Sequence, residues 1–102
     1  MRIVKPSRVR EYATAHADAA ASLLAWLRVT ERAKWQSIRD VRKSYPHADA
    51  VEVASRRIVT VFNFGGNKYR MIASIKYQWS MVYVLRFMTH AEYDKQKWKA
   101  QL

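Results

Sequence analysis

IVTVFNFGGNKYRMIASIKYQWSMVYVLRFMT, residues 58–89, decides the fold. Apolar and polar residues alternate with a period of two through 58–64, 69–77 and 81–89, as in strands that bury one face. Gly65 and Gly66 separate the first two runs. Both can take the positive φ of a tight reversal, so they predict a hairpin. Gln78-Trp79-Ser80 is too short for a parallel crossover, so the third run is antiparallel to the second.

Alternation sorts these strands into two faces. Phe62, Phe64, Tyr69, Met71, Ala73, Ile75, Tyr83, Leu85 and Phe87 form the bulkier, aromatic set and are assigned to the core. The opposite parity carries Asn63, Lys68, Arg70, Ser74, Lys76 and Arg86, and continues to His90. Polar groups from separate strands are thereby expected on one face.

Upstream the period changes to that of helices. Residues 2–5 form a short strand stopped by Pro6, and Ser7 can cap a helix carrying Val9, Tyr12, Ala13 and His16. Ala20, Leu23, Leu24 and Leu27 make a second apolar stripe. The two helices are either one kinked unit or a hairpin. Ser37 with Asp40 resembles a capping box for a short helix lined by Ile38, Val41 and Tyr45, which Pro46 ends. Residues 46–57 read as loop with a short strand at 50–53, and a last short helix begins near His90. Helices followed by a meander predict an α+β domain over 1–102, with a small antiparallel sheet backed by N-terminal helices.

Composition narrows the chemistry. In 102 residues, 19 Lys and Arg oppose eight Asp and Glu, a formal charge of +11 that favours nucleic acid or an acidic protein as partner. Without cysteine there is no disulfide, thiolate metal site or Cys nucleophile. His16, His47 and His90 are scattered, with no metal-ligand spacing, no Walker loop and no dinucleotide fingerprint. No cofactor or metal is expected. The N-terminal residues lack the apolar stretch of a secretory signal, and the apolar window 17–27 is too short to span a bilayer, so a soluble, cytoplasmic protein is expected.

Thr89-His90-Ala91-Glu92 fits a capping box, which sets His90 at the first helical position. A helix start favours anions, and a neutral imidazole beside a phosphate suits acid–base work. Lys68 and Arg70, two apart on a strand, are expected to point the same way, with Arg70 bracing a phosphate and Arg86 joining from the next strand. Tyr93 can stack a base, relay a proton or close the sheet edge, and Asp94 follows in the same turn. Arg39, Arg42 and Lys43 form one cationic helix surface, and Arg56 and Arg57 precede a strand; such groups suit phosphate tracking. Trp35, Trp79 and Trp98 lie outside the periodic stripes, free either to stack on bases or to cover the core.

The runs Phe62-Asn63-Phe64-Gly65-Gly66-Asn67-Lys68-Tyr69-Arg70 and Thr89-His90-Ala91-Glu92-Tyr93-Asp94-Lys95 resemble the HigB toxins of bacterial toxin–antitoxin pairs, within the RelE-like group. The resemblance implies a RelE-like fold, cleavage of mRNA on the translating ribosome, and silencing by a HigA-like antitoxin. It also implies metal-free chemistry in which the RNA's own 2′-hydroxyl attacks the adjacent phosphate. On that footing His90 is general acid or base, with Lys68 as alternative base or phosphate contact. Arg70 braces the scissile phosphate with Arg86 in support, and Lys76 is either an RNA contact or part of a solvated sheet face. Tyr93 stacks a base or donates a proton, Asn67 shapes the turn or contacts RNA, and Asp94 orients His90 or simply favours the helix start. Two other readings of the same residues are a non-catalytic RNA- or ribosome-binding protein and a basic cleft that only receives an acidic antitoxin segment.

Overall fold

The computed structural model describes residues 1–102. β1 (Arg2–Val4) leads into α1 (Pro6–Ala15), a 3₁₀ turn over Ala17–Ala19, α2 (Ala20–Arg32) and α3 (Ile38–Ser44). The meander follows as β2 (Asp49–Glu52), β3 (Ile58–Phe64), β4 (Tyr69–Lys76) and β5 (Met81–Thr89), and α4 (His90–Asp94) and α5 (Lys97–Gln101) close the chain. The strands form one sheet in the order β1-β5-β4-β3-β2. Only β1 against β5 is parallel; the other pairings are antiparallel. The expected α+β class therefore holds, with β3 and β5 at the expected limits.

The helices cover one face. Phe62, Phe64, Met71, Ala73, Val82 and Val84 meet Val9, Ala13, Leu23, Trp26 and Leu27 in the main core. Phe62 is its pivot, with Trp26, Tyr45 and Trp35 at 5.5, 5.5 and 6.4 Å. Burying a side chain of that size stabilises the fold by about 1.5–3 kcal/mol. The opposite face has a smaller core of Val53, Val59, Val61, Ile72, Met88 and Trp98, closed by the C-terminal residues.

Five expectations need correction. The core parity of β5 is wrong at Tyr83 and Leu85: Ala73 pairs with Val84 and Ile72 with Arg86, so Leu85 is the extra residue of a β-bulge. Val82, Val84 and Phe87 therefore face the helices, while Leu85 packs against the smaller core. On α2 the buried stripe is Leu23, Trp26, Leu27 and Thr30, and Leu24 is 38% exposed. α1 starts with Pro6 at its first turn after Lys5 in the left-handed region, so Ser7 is not its cap. Proline's fixed φ favours that position. Ser37 precedes α3 without a side-chain cap; Asp40 instead accepts the Gln36 backbone N–H at 2.9 Å. Finally, α5 has no counterpart in the sequence reading. α1 and α2 are distinct helices, separated by the turn at Ala17–Ala19 and packed on each other, which resolves that question in favour of a hairpin.

Candidate active site

The site is built around the turn from β3 to β4. Gly65, Gly66 and Asn67 have φ of 61°, 61° and 80°, three successive left-handed residues. At Gly65 a Cβ would also approach the Tyr69 ring to 3.0 Å, so both backbone and space call for glycine there. This reversal aims the Asn67 main chain and side chain back at Arg70. Arg70 Nη1 donates to the carbonyls of Asn67 (3.1 Å) and Tyr69 (3.2 Å), and Nη2 donates to Asn67 Oδ1 (2.8 Å). Its Cζ lies 5.6 Å from the centre of the Tyr93 ring.

Arg70 is only 8% exposed. The ion pairs of the chain use Arg42, Lys43, Lys68 and His90; none involves Arg70. A buried guanidinium held by carbonyls and a π face, with no carboxylate, keeps its full charge for an outside anion. Three of its N–H groups are engaged, which leaves two of the five for phosphate oxygens.

The expected capping box at Thr89 is present in both directions, with Glu92 N–H to Thr89 Oγ1 and Thr89 N–H to Glu92 Oε1 each at 3.2 Å. It fixes the start of α4, and the His90 N–H donates to the Lys68 carbonyl at 2.7 Å. The glycine turn and the helix start are thus tied together. α4 has five residues, so its dipole is small and its contribution is placement. His90 Nδ1 is buried 3.1 Å from Asp94 Oδ2, within ion-pair distance but off hydrogen-bond alignment, while the side chain is 44% exposed. Nε2 is the nitrogen left to meet a substrate.

Tyr93 is half-buried. Trp98 stacks on its ring at 5.2 Å, and Trp98 Nε1 donates to the Tyr93 carbonyl at 3.0 Å. With Trp98 stacked on it and Arg70 over it, the ring serves as a support more than as an open platform. Burial pushes the Tyr93 hydroxyl above its ordinary value, helped by Asp49 and opposed by Arg70. The hydroxyl therefore stays protonated at neutral pH.

The structure therefore brings together Asn67, Arg70, His90, Tyr93 and Asp94. No side-chain contact ties Lys68, Arg86, Lys76, Arg42 or Lys43 to them. Lys68 lies in the turn before β4, so strand parity does not govern it; its Nζ pairs with Asp18 Oδ2 at 3.3 Å, on the helix side. Arg86 has the expected parity, yet its Nη1 bonds the adjacent Leu85 carbonyl at 3.0 Å and it lines a hollow with Glu92, Lys95 and Lys97. Lys76 shares the parity of Arg70 but sits six residues along β4, about 20 Å away at strand rise. Arg42 holds the Ala48 carbonyl (3.0 Å) and Asp49 (3.6 Å), and Lys43 pairs with Asp40 (3.5 Å). Trp35 and Trp98 are core residues, whereas Trp79 is exposed.

Two supporting roles escaped the sequence reading, although it offers Trp98 as a candidate core cover. Trp98 holds Tyr93, and only its size and aromatic character hinted at a buried role. Asp18 accepts the Tyr69 hydroxyl at 3.0 Å as well as Lys68, anchoring the glycine turn to the helical hairpin. The Tyr69 bond, then Lys68, lowers the Asp18 carboxyl below its ordinary value, and the same bond raises Tyr69. Nothing local links residues so far apart in the chain. No group of three His, Asp or Glu side chains is gathered as a metal-ligand set.

A family model of the HigB toxin, the RelE-like toxic component of a toxin–antitoxin system, matches residues 19–96, which include every residue of this cluster. The chain belongs to the HigB toxin family. The resemblance carried by 62–70 and 89–95 is thus borne out. The mRNA interferase HigB of Escherichia coli O6:H1 (strain CFT073) is 27% identical over 95 residues, 93% of this chain and 90% of that protein. A HigB toxin is one half of a toxin–antitoxin pair, so membership implies an antitoxin as partner. No helix is long and apolar enough to cross a membrane.

Proposed function

We propose that this HigB-family toxin is an endoribonuclease that cleaves mRNA at the Arg70–His90 cluster. The observation that carries the proposal is Arg70, a buried, preset guanidinium with two N–H groups and no carboxylate partner. Such a group is matched to a phosphate whose charge grows during reaction. The activity named for the E. coli relative supplies the substrate class.

The reaction these side chains can run needs no metal ion. The 2′-hydroxyl loses its proton to His90 Nε2 and its oxygen attacks the adjacent phosphorus. Arg70 holds the non-bridging oxygens as the bond to O5′ breaks. O5′ leaves with the proton that His90 Nε2 took up, or with one from the Tyr93 hydroxyl, whose phenolate then regains a proton from the His90 imidazolium. The products are a 2′,3′-cyclic phosphate and a 5′-hydroxyl. Asp94 orients His90, and Asn67 sets Arg70. Lys68, held by Asp18, contributes positive charge at the edge of the site, not the base.

The exposed cations Arg39, Arg56 and Arg57 suit the phosphate-rich surface of a translating ribosome, which would place the toxin in the cytoplasm with a HigA-like antitoxin restraining it. Induction of the native chain, Arg70→Ala and His90→Ala, with growth and mRNA 5′ ends followed together, tests the proposal. Arrest with new ends inside translated frames, lost in both variants, is expected. Arrest that survives both substitutions, or occurs without new ends, would leave a non-catalytic binder.

A further inference from the structure

Lys76 and Trp79 were both candidate RNA contacts, and the catalytic cluster uses neither. Both lie at the other end of the sheet. A hollow of about 880 Å³ is lined there by Lys34, Trp35, Gln36, Lys76, Tyr77, Gln78 and Ser80. Lys34, Trp35 and Gln36 come from the segment after α2, and the other four from the end of β4 and the turn into β5. Trp79 stands on that turn between two lining residues and is 65% exposed, the most exposed large apolar side chain in the protein.

Three properties identify the occupant. No carboxylate lines the hollow, while two lysines do. Neither lysine has an ion-pair partner, in contrast to Lys43 and Lys68. Amides and hydroxyls stand between the lysines, beside an exposed indole on a short hairpin. Paired cations with an aromatic platform are the chemistry by which proteins hold single-stranded nucleic acid: phosphates meet the lysines and a base stacks on the indole. The roughly 20 Å from Arg70 to Lys76 is within the run of a few extended nucleotides.

We propose that this groove is a second contact for single-stranded RNA, gripping the substrate strand away from the cleavage point. It rests on the endoribonuclease reading and adds a length requirement to it. Binding can be measured by fluorescence anisotropy with 2′-O-methyl RNA, which cannot be cleaved, at lengths of about four and about fifteen nucleotides. The native chain should bind the longer RNA at least about tenfold more tightly. Trp79→Ala should weaken the longer RNA by about 5- to 150-fold and leave the shorter one nearly unaffected. Because Trp79 is exposed, thermal unfolding should be unchanged. Lys34→Glu with Lys76→Glu should lower the slope of log affinity against log salt by about 1.4, two phosphates' worth.

Equal loss at both lengths, or no loss with Trp79→Ala, overturns the proposal. So does intact RNA binding with lost binding of the cognate antitoxin, which would assign the groove to protein. Cleavage of unmodified RNA on translating ribosomes by the native chain and Arg70→Ala, run alongside, tests the catalytic cluster separately. A length effect that persists without cleavage upholds the groove and removes the cluster.

Discussion

The two faces of the sheet are built on different plans. Under the helical hairpin, β3 and β4 send down an aromatic layer that follows strand parity, and Phe62 is enclosed by three rings. The other face is closed only by the short C-terminal segment, with Trp98 as its main cover. Arg70 is buried on this second face, beside Tyr93 and Trp98. The thick core can give stability without regard to chemistry. On the thin one, the same residues that close the fold also hold the Arg70 guanidinium, so the proposed function makes stability and activity coupled there.

The largest test of that contrast is chemical. Arg70→Ala or His90→Gln should reduce RNA cleavage on the order of 10²–10³-fold, the effect of removing a phosphate stabiliser or a general acid–base. Arg70→Lys should recover little, because an ammonium cannot span Asn67 and a phosphate as the planar fork does. Activity close to native in either variant would move the site elsewhere.

Next, Trp26→Ala and Trp98→Ala should each cost about 3–5 kcal/mol of stability in denaturant unfolding. They should differ in turnover per folded molecule. Trp26→Ala should leave turnover near native, whereas Trp98→Ala should lower it by loosening Tyr93 and Arg70. Equal turnover would show that the thin face is only a lid.

A smaller effect is expected at the turn. Gly65→Ala meets both a left-handed φ and the Tyr69 ring at 3.0 Å, whereas Gly66→Ala has the φ but open space. Gly66→Ala should cost about 1 kcal/mol and Gly65→Ala more, read from thermal unfolding.

The last effect is confined to alkaline pH. Burial raises the Tyr45 hydroxyl from 10.0 to about 12. A raised folded value means that Tyr45 favours the fold fully below 10.0, and this contribution fades as pH rises toward about 12. Tyr45→Phe should remove that part of the alkaline loss in unfolding measurements. An unchanged alkaline limb would mean that Tyr45 ionises freely in the fold.

How far the sequence reached follows the same division. Strand periodicity and the glycine pair were enough to place β3, β4 and β5, and the Thr89 box placed α4, because each rests on local backbone chemistry. Asn67, Arg70, His90, Tyr93 and Asp94 were legible because a turn and a capping box fix them within a few residues. Lys68 was misplaced since parity stops at the strand end, and the bulge at Leu85 shifted Tyr83 and Leu85 without any sequence mark. Asp18 and Trp98 act through partners remote in the chain or on an unsuspected helix, so no periodic pattern could reveal them. Lys76 was correctly assigned to a parity and wrongly to a place, because parity gives the face and not the position along it.

The most direct measurement is cleavage, by the purified toxin, of an RNA carrying a single 2′-deoxy nucleotide immediately 5′ to the mapped cleavage point, with translating ribosomes supplied. Removing that one hydroxyl should abolish cleavage at that phosphate, while the all-ribose RNA yields a 2′,3′-cyclic phosphate and a 5′-hydroxyl. Cleavage that persists in the deoxy RNA, or that leaves a 5′-phosphate, would contradict attack by the 2′-hydroxyl at the Arg70–His90 cluster.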